Sequence, residues 1–217
     1  MKKVFQFFAI FSIAMLSLTS CSSDDSTTSV VLLKKLQAGI MGDVDKYQFT
    51  YNGTKLTKIS FEQYNGNTTT GYSQIVYTGD LITQVSDFNN NNVNTYNTVF
   101  TYNGTGQLTQ VMKIQVGVDH AEKTVFTYNT DNTVNSDHYV GTIASQPYVN
   151  ASEKFYFEGN NLIQKDYTYA GTFSSASKYN YDTANHPMKN VTGLAAIELY
   201  VNSWDGFLSL GLKRVKK

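Results

Sequence analysis

One short pattern recurs along this chain at an even interval, and it restricts the available folds more than any other feature. The segments Tyr47-Gln48-Phe49-Thr50-Tyr51-Asn52-Gly53, Gln74-Ile75-Val76-Tyr77-Thr78-Gly79-Asp80, Thr98-Val99-Phe100-Thr101-Tyr102-Asn103-Gly104 and Thr124-Val125-Phe126-Thr127-Tyr128-Asn129 align with one another. Weaker copies follow at Lys154-Phe155-Tyr156-Phe157-Glu158-Gly159-Asn160 and Lys178-Tyr179-Asn180-Tyr181-Asp182. With Tyr51, Tyr77, Tyr102, Tyr128, Phe157 and Tyr181 taken as equivalent, the steps are 26, 25, 26, 29 and 24 residues. Such a period marks a repeat architecture, in which each unit buries its apolar face by stacking on its neighbours.

Each unit reads as strand, tight turn, strand and looser loop. Phe49 and Tyr51, Ile75 and Tyr77, Phe100 and Tyr102, Phe126 and Tyr128, Phe155 and Phe157, and Tyr179 and Tyr181 alternate with period two and share one face. Asn-Gly or Gly-Asn/Asp supplies the positive φ of a hairpin turn. The return strands open with Leu56-Thr57-Lys58-Ile59, Ile82-Thr83-Gln84-Val85 and Leu108-Thr109-Gln110-Val111. Their apolar residues are three apart, which predicts a bulge or sharp twist after each turn. Composition agrees: 25 Thr, 16 Tyr and 13 Phe favour strands, 20 Asn favour turns, and charged residues make up only 16%.

Six hairpins predict an all-β antiparallel meander of about twelve strands. A sheet that wide must curl, split or close. The expectation is a strongly curved or barrel-like sheet with its aromatic stripe inside, a two-sheet sandwich being the alternative. The repeat β-domain is placed at 45–192, with a non-repeat segment at 193–217 in which Leu194–Val201 reads as a short helix and Phe207, Leu208, Leu210 and Leu212 as a plug or final strand.

The N-terminus carries an address. Lys2 and Lys3 precede an apolar run from Val4 to Leu18, the form of a signal peptide over 1–20. Leu18-Thr19-Ser20-Cys21 resembles a bacterial lipobox, which implies cleavage before Cys21 and diacylation of its sulfur. Two or more acyl chains give a stable anchor. Ser22, Ser23, Asp24 and Asp25 resemble the export signal of Bacteroidota-type surface lipoproteins, and 21–44 is read as a lipidated, flexible tether. Asp25-Ser26-Thr27 and Asp182-Thr183-Ala184 resemble O-glycosylation sites of such bacteria. The anchor, the polar second face and an end at Val215-Lys216-Lys217 without a terminal aromatic all oppose a membrane-spanning barrel. Loss of the signal leaves 15 basic against 17 acidic side chains, about −2 net, which opposes nucleic acid as a partner. Cys21 is the sole cysteine, so no disulfide forms within the chain.

The Tyr-Asn-Gly-x-x-Leu-Thr-x-Ile/Val pattern resembles tyrosine-aspartate (Rhs-type) repeats. With the lipobox, the chain is similar to an uncharacterised lipoprotein family of Bacteroidota described as having a porin-like β-fold. Tyr181-Asp182-x-x-Asn185-x-Pro187-x-Lys189-Asn190 resembles the close of that family's last repeat. The resemblance implies a fold and an outer-membrane location, with no activity and no functional residues. The return strand Val134-Asn135-Ser136-Asp137-His138-Tyr139 departs from the pattern.

Chemistry is sparse. His120, His138 and His186 are scattered over different units and read as surface loop residues, with no metal or cofactor implied. No phosphate loop or nucleophile elbow is present. Glu62, Asp87, Glu153, Glu158 and Asp166 could be paired only by geometry. Trp204, Tyr139, Tyr148 and Tyr167, with Tyr64, Tyr72 and Tyr96, are candidate ligand platforms. The expected function is a non-enzymatic, membrane-anchored binding or scaffold module for a glycan, peptide or envelope component. The alternatives are a carrier of an apolar ligand inside the sheet and a hydrolase.

Overall fold

The computed structural model describes residues 30–40, 43–64, 66–159, 161–180 and 188–202. Among them, twelve antiparallel strands form one sheet in simple chain order. They are β1 (Lys35–Ile40), β2 (Asp43–Asn52), β3 (Lys55–Tyr64), β4 (Thr68–Thr78), β5 (Leu81–Asn89), β6 (Asn94–Tyr102), β7 (Leu108–Gln115), β8 (Ala121–Tyr128), β9 (Thr133–Gly141), β10 (Tyr148–Glu158), β11 (Asn161–Tyr169) and β12 (Thr172–Lys178). A single 3₁₀ turn, Ala195–Ile197, runs into the short helix α1 (Glu198–Asn202), at the place where the sequence predicts a helix.

The hairpins form where the repeat puts them. Gly53 and Gly79 hold φ near +58°, the left-handed conformation that each two-residue turn requires. The bulges also form. Thr50 pairs with Lys58 but Tyr51 with Leu56, which leaves Thr57 as an extra residue. Thr83, Thr109 and Ile163 are extra in the same way. An extra residue turns a spacing of three into a spacing that keeps both ends on one face. Leu56 and Ile59, Ile82 and Val85, and Leu108 and Val111 are accordingly all buried. The threonine hydroxyl bonds back across the bulge: Thr57 Oγ1 donates to the Thr50 carbonyl at 3.1 Å and Thr109 Oγ1 to the Thr101 carbonyl at 3.1 Å. The hairpin β8–β9 has no such shift. Its return strand has neither the Leu nor the Thr that opens the Leu-Thr-x-Ile/Val pattern, whereas β11, with Leu162 but Ile163 in the Thr position, keeps the bulge.

The repeated tyrosine links each unit to the one before it. Tyr102 Oη donates to the Ile82 carbonyl at 2.6 Å and Tyr128 Oη to the Leu108 carbonyl at 3.1 Å. Tyr77 Oη accepts from the Leu56 amide at 3.1 Å. Tyr51 Oη donates to the Leu33 carbonyl at 2.7 Å, so Leu33 stands where a preceding unit would be. Burial pushes the phenols of Tyr51 and Tyr77 up to about 12, and that of Tyr102 higher still.

The C-terminal segment packs on the face that carries these apolar rows, here termed the capped face. Met188, Val191, Ile197 and Tyr200 join the core cluster, and the Tyr200 ring meets Phe100 edge-on with centroids 5.5 Å apart. Gly193, at φ +76°, lies so close to the Asp80 carbonyl that a β-carbon would collide with it. The Thr192 amide donates to the Thr54 carbonyl, and the two threonine hydroxyls meet at 2.6 Å.

Two expectations fail. The sheet neither closes nor curls strongly, since among the described residues β1 pairs only with β2 and β12 only with β11. The chain's own segment 188–202 shields the apolar rows that a barrel would have enclosed. The twelve strands are also not six hairpins. Strand β12 has no return strand among the described residues, and β1 supplies the twelfth from the stretch expected as tether. There, Leu32, Leu33 and Leu36 pack against the core.

Truncation of Leu108, which is fully buried, to alanine costs about 3 kcal/mol in urea unfolding. Tyr102→Phe costs about 1 kcal/mol, because the Ile82 carbonyl loses its partner. Because the ordinary tyrosine value of 10.0 is raised in the fold, the neutral phenols contribute stability below pH 10 that is lost as the pH rises from about 10 to 12. Paired Tyr51→Phe and Tyr77→Phe substitutions should flatten that alkaline decline, and an unchanged slope in alkaline unfolding would reject the assignment.

Candidate functional site

Polar groups gather at two places on the capped face. The first is a cleft of about 440 Å³ between β2 and β6. Its aromatic sides come from Tyr47 on β2, Phe61 on β3 and Tyr96 on β6. Phe61 stands directly across from Gly71, and a β-carbon on that glycine would come within 2.6 Å of the Phe61 ring. The absent side chain at Gly71 therefore makes room for the Phe61 ring, which lies over β4 and forms one side of the cleft.

A cross-strand row places the floor. Ser73 on β4 pairs with Asp87 on β5, which pairs with Tyr96 on β6. Ser73 Oγ donates to Asp87 Oδ1 at 2.6 Å. Burial pushes the Asp87 carboxyl above its usual range, against the opposing pull of the Ser73 bond and the positive charge of Lys113. Lys113 Nζ also lies 5.1 Å from the centre of the Tyr96 ring. At the far side, Gln63 Nε2 donates to Tyr47 Oη at 3.0 Å.

The second place is a charged network across β8 to β11. Glu153, 3% exposed, receives Lys165 Nζ on Oε1 at 2.9 Å and Ser136 Oγ on Oε2 at 3.2 Å. His138 Nε2 stands 3.4 Å from the same Oε2, and His138 Nδ1 is 3.2 Å from Thr124 Oγ1. Burial works to raise the Glu153 carboxyl, but His138 and Lys165 outweigh it and hold the group below its usual value. Glu153, Lys165, Tyr167, Ser175 and Ser177 line a groove of about 270 Å³ that opens over this network.

The missing bulge creates the second site. In the other units a bulge sends the residue three after the buried Leu/Ile inward; in β9 plain alternation from Val134 sends Ser136 and His138 inward. His138 is thus buried on a strand, at 7% exposure, and not in a surface loop as expected. His120 lies beside Glu122, with Nε2 3.5 Å from its carboxylate, and His186 falls outside the described residues. Lys165 takes the slot held by Ile59, Val85 and Val111 in other units, and Glu153 the slot held by Ser73, Thr98 and Thr124. Comparison slot by slot along the repeat is the signal that points to both.

The predicted ligand residues divide. Tyr139 and Tyr148 come together across β9 and β10 on the uncapped face, with ring centroids 5.5 Å apart and Lys123 Nζ 4.7 Å from the Tyr139 ring. Tyr167 lies on the capped face in the Glu153 groove, and Tyr96 in the first cleft. Cys21, Ser22, Ser23, Asp24, Asp25 and Trp204 lie outside the described residues. Among the described residues no three His, Cys, Asp or Glu converge to hold a metal ion, and no helix is long and apolar enough to cross a membrane. Ser136 donates to Glu153 and is fully buried, a geometry unlike that of a serine nucleophile on a histidine. Asp87 and Glu153 stand five strands apart and do not form an acid–base pair. No protein-family model matches the chain, and no curated protein matches it.

Glu153→Gln should cost about 3 kcal/mol, since it leaves Lys165 without its buried counter-charge. The native carboxylate contributes stability above the ordinary glutamate value of 4.5, and this is lost as the pH falls through the lower value in the fold. The acid limb of the stability curve should therefore be shallower in the variant. An equally steep limb in denaturant titrations would place the acid sensitivity elsewhere.

Proposed function

We propose that this chain is a lipid-anchored protein of the outer membrane, facing the cell exterior, that binds a neutral, polyhydroxylated ligand such as a glycan ring in the cleft between β2 and β6. The observation that carries the reading is the Asp87 carboxylate, set between aromatic walls with Ser73 and Lys113 as its own partners. A carboxylate beside a lysine is close to charge balance, so the cleft does not call for a charged ligand. Aromatic faces suit the C–H faces of a sugar ring, and the surrounding Gln63, Thr69, Asn89 and Thr95 suit its hydroxyls. The volume is also in the range of a small-ligand site. An apolar cargo has less to recommend it, because Met188, Val191, Ile197 and Tyr200 already pack on the apolar rows.

The anchor rests on Leu18-Thr19-Ser20-Cys21 and the export reading on Ser22 to Asp25, in keeping with the resemblance to Bacteroidota lipoproteins. Cys21→Ser should abolish incorporation of labelled palmitate and release the chain from the membrane fraction, whereas retained label would reject the anchor. For the cleft, the full-length lipidated chain in detergent is titrated with a panel of soluble polysaccharides. Asp87→Asn and Tyr96→Ala should each weaken the best binder by about tenfold or more, a loss near 1.4 kcal/mol. Unchanged affinity in both variants would place the ligand elsewhere.

A further inference from the structure

We propose that the groove over Glu153 is a second subsite for the same ligand, so that the protein holds a linear glycan laid across its strands; this rests on the glycan reading of the cleft at Asp87. The two places share one construction. In the first, Ser73, Asp87 and Tyr96 follow one another in a cross-strand row, with Lys113 near the carboxylate. In the second, Ser136, Glu153 and Tyr167 form the same kind of row, with Lys165 on the carboxylate at 2.9 Å. Each serine donates to its carboxylate, at 2.6 and 3.2 Å.

The repeat does not explain the likeness. Asp87 is on a return strand and Glu153 on the first strand of its unit, so the two carboxylates occupy different slots. Inheritance from one ancestral hairpin would have put them in the same slot. A shared demand from the ligand accounts for two convergent rows on one face, each opening into a groove that offers a carboxylate, hydroxyl groups and a tyrosine.

Geometry then names the ligand class. Strands β5 and β10 are five intervals apart, about 24 Å across the sheet at the usual spacing. A single sugar cannot touch both places, whereas a chain of like units can present the same hydroxyl pattern to each. Between them, part-exposed Lys113 on β7 pairs across from part-exposed Glu122 on β8 on the same face. Linking two contacts through one chain raises affinity by effective concentration, with no new contact needed.

The test is calorimetric titration of the full-length chain with short and long members of xylan, β-1,3-glucan and chitin oligosaccharide series. Short oligomers of the recognised series should bind two per chain. Long ones should bind one per chain and at least about tenfold more tightly. Tyr167→Ala should reduce short-oligomer stoichiometry to one and remove the gain with length. Ser175→Trp, which fills the groove from the exposed strand β12, should do the same without touching the buried network. One short oligomer per native chain with no length dependence would overturn the second subsite and leave the cleft reading intact. Two per chain at every length, with no gain, would overturn the single-chain ligand. Absence of binding by all three series would overturn both readings.

Discussion

Each bulged hairpin rests on one extra residue. A strand with strict alternation cannot bury both ends of a Leu-Thr-x-Ile/Val segment, because residues three apart point to opposite faces. The added residue at Thr57, Thr83 and Thr109 removes that conflict, and the threonine hydroxyls of Thr57 and Thr109 close on the carbonyls opposite. The apolar pair is then presented beside the tyrosine of the next unit, whose hydroxyl bonds the backbone of the previous return strand. Turn, bulge and tyrosine act as one device, repeated along the sheet. Its product is a set of apolar rows on one face, and the segment from Met188 to Tyr200 covers them.

The same device explains where chemistry appears. The inward-facing charged residues sit where the repeat is altered at an inward slot. Without a bulge, β9 turns Ser136 and His138 inward, and the neighbouring strands answer with Glu153 and Lys165. At the opposite end of the face, Gly71 admits the Phe61 ring, which forms one side of the cleft over Asp87. Withdrawing a carboxylate from water is expensive unless it is bonded and balanced; Glu153 is buried and Asp87 part-buried, and both have a serine donor and a nearby lysine. Such groups are poor choices for stability alone, which is why two of them on one face argue for a ligand.

Much of this was legible beforehand. The period, the hairpin turns and the spacing of three in the return strands predict the strands and their bulges. The departure at Val134-Asn135-Ser136 is visible as well, although its consequence for His138 needs the register of β9 against β8 and β10. Tyr139, Tyr148 and Tyr167 stand out alike in the sequence as candidate ligand residues, but only the strand register shows that Tyr139 and Tyr148 meet on the face opposite Tyr167. Strand β1 escaped notice because Lys35–Ile40 has no copy of the repeat motif; it is a strand because Leu36 and the neighbouring Leu32 and Leu33 find the core.

Local rules act over a few residues, and so the amino-acid order alone determined the hairpins, their bulges and the inward aromatic and aliphatic stripe. Whether the sheet closes depends on what shields that stripe, and this is a contest between distant segments that no local pattern decides. The structure resolves it in favour of the chain's own C-terminal segment, with Gly193 pressed against the Asp80 carbonyl and Tyr200 against Phe100. The pairing of Ser73 with Asp87, and of Glu153 with Ser136 and Lys165, is likewise a matter of strand register. Register joins residues that are far apart in sequence, so the two polar rows exist only once the sheet is assembled.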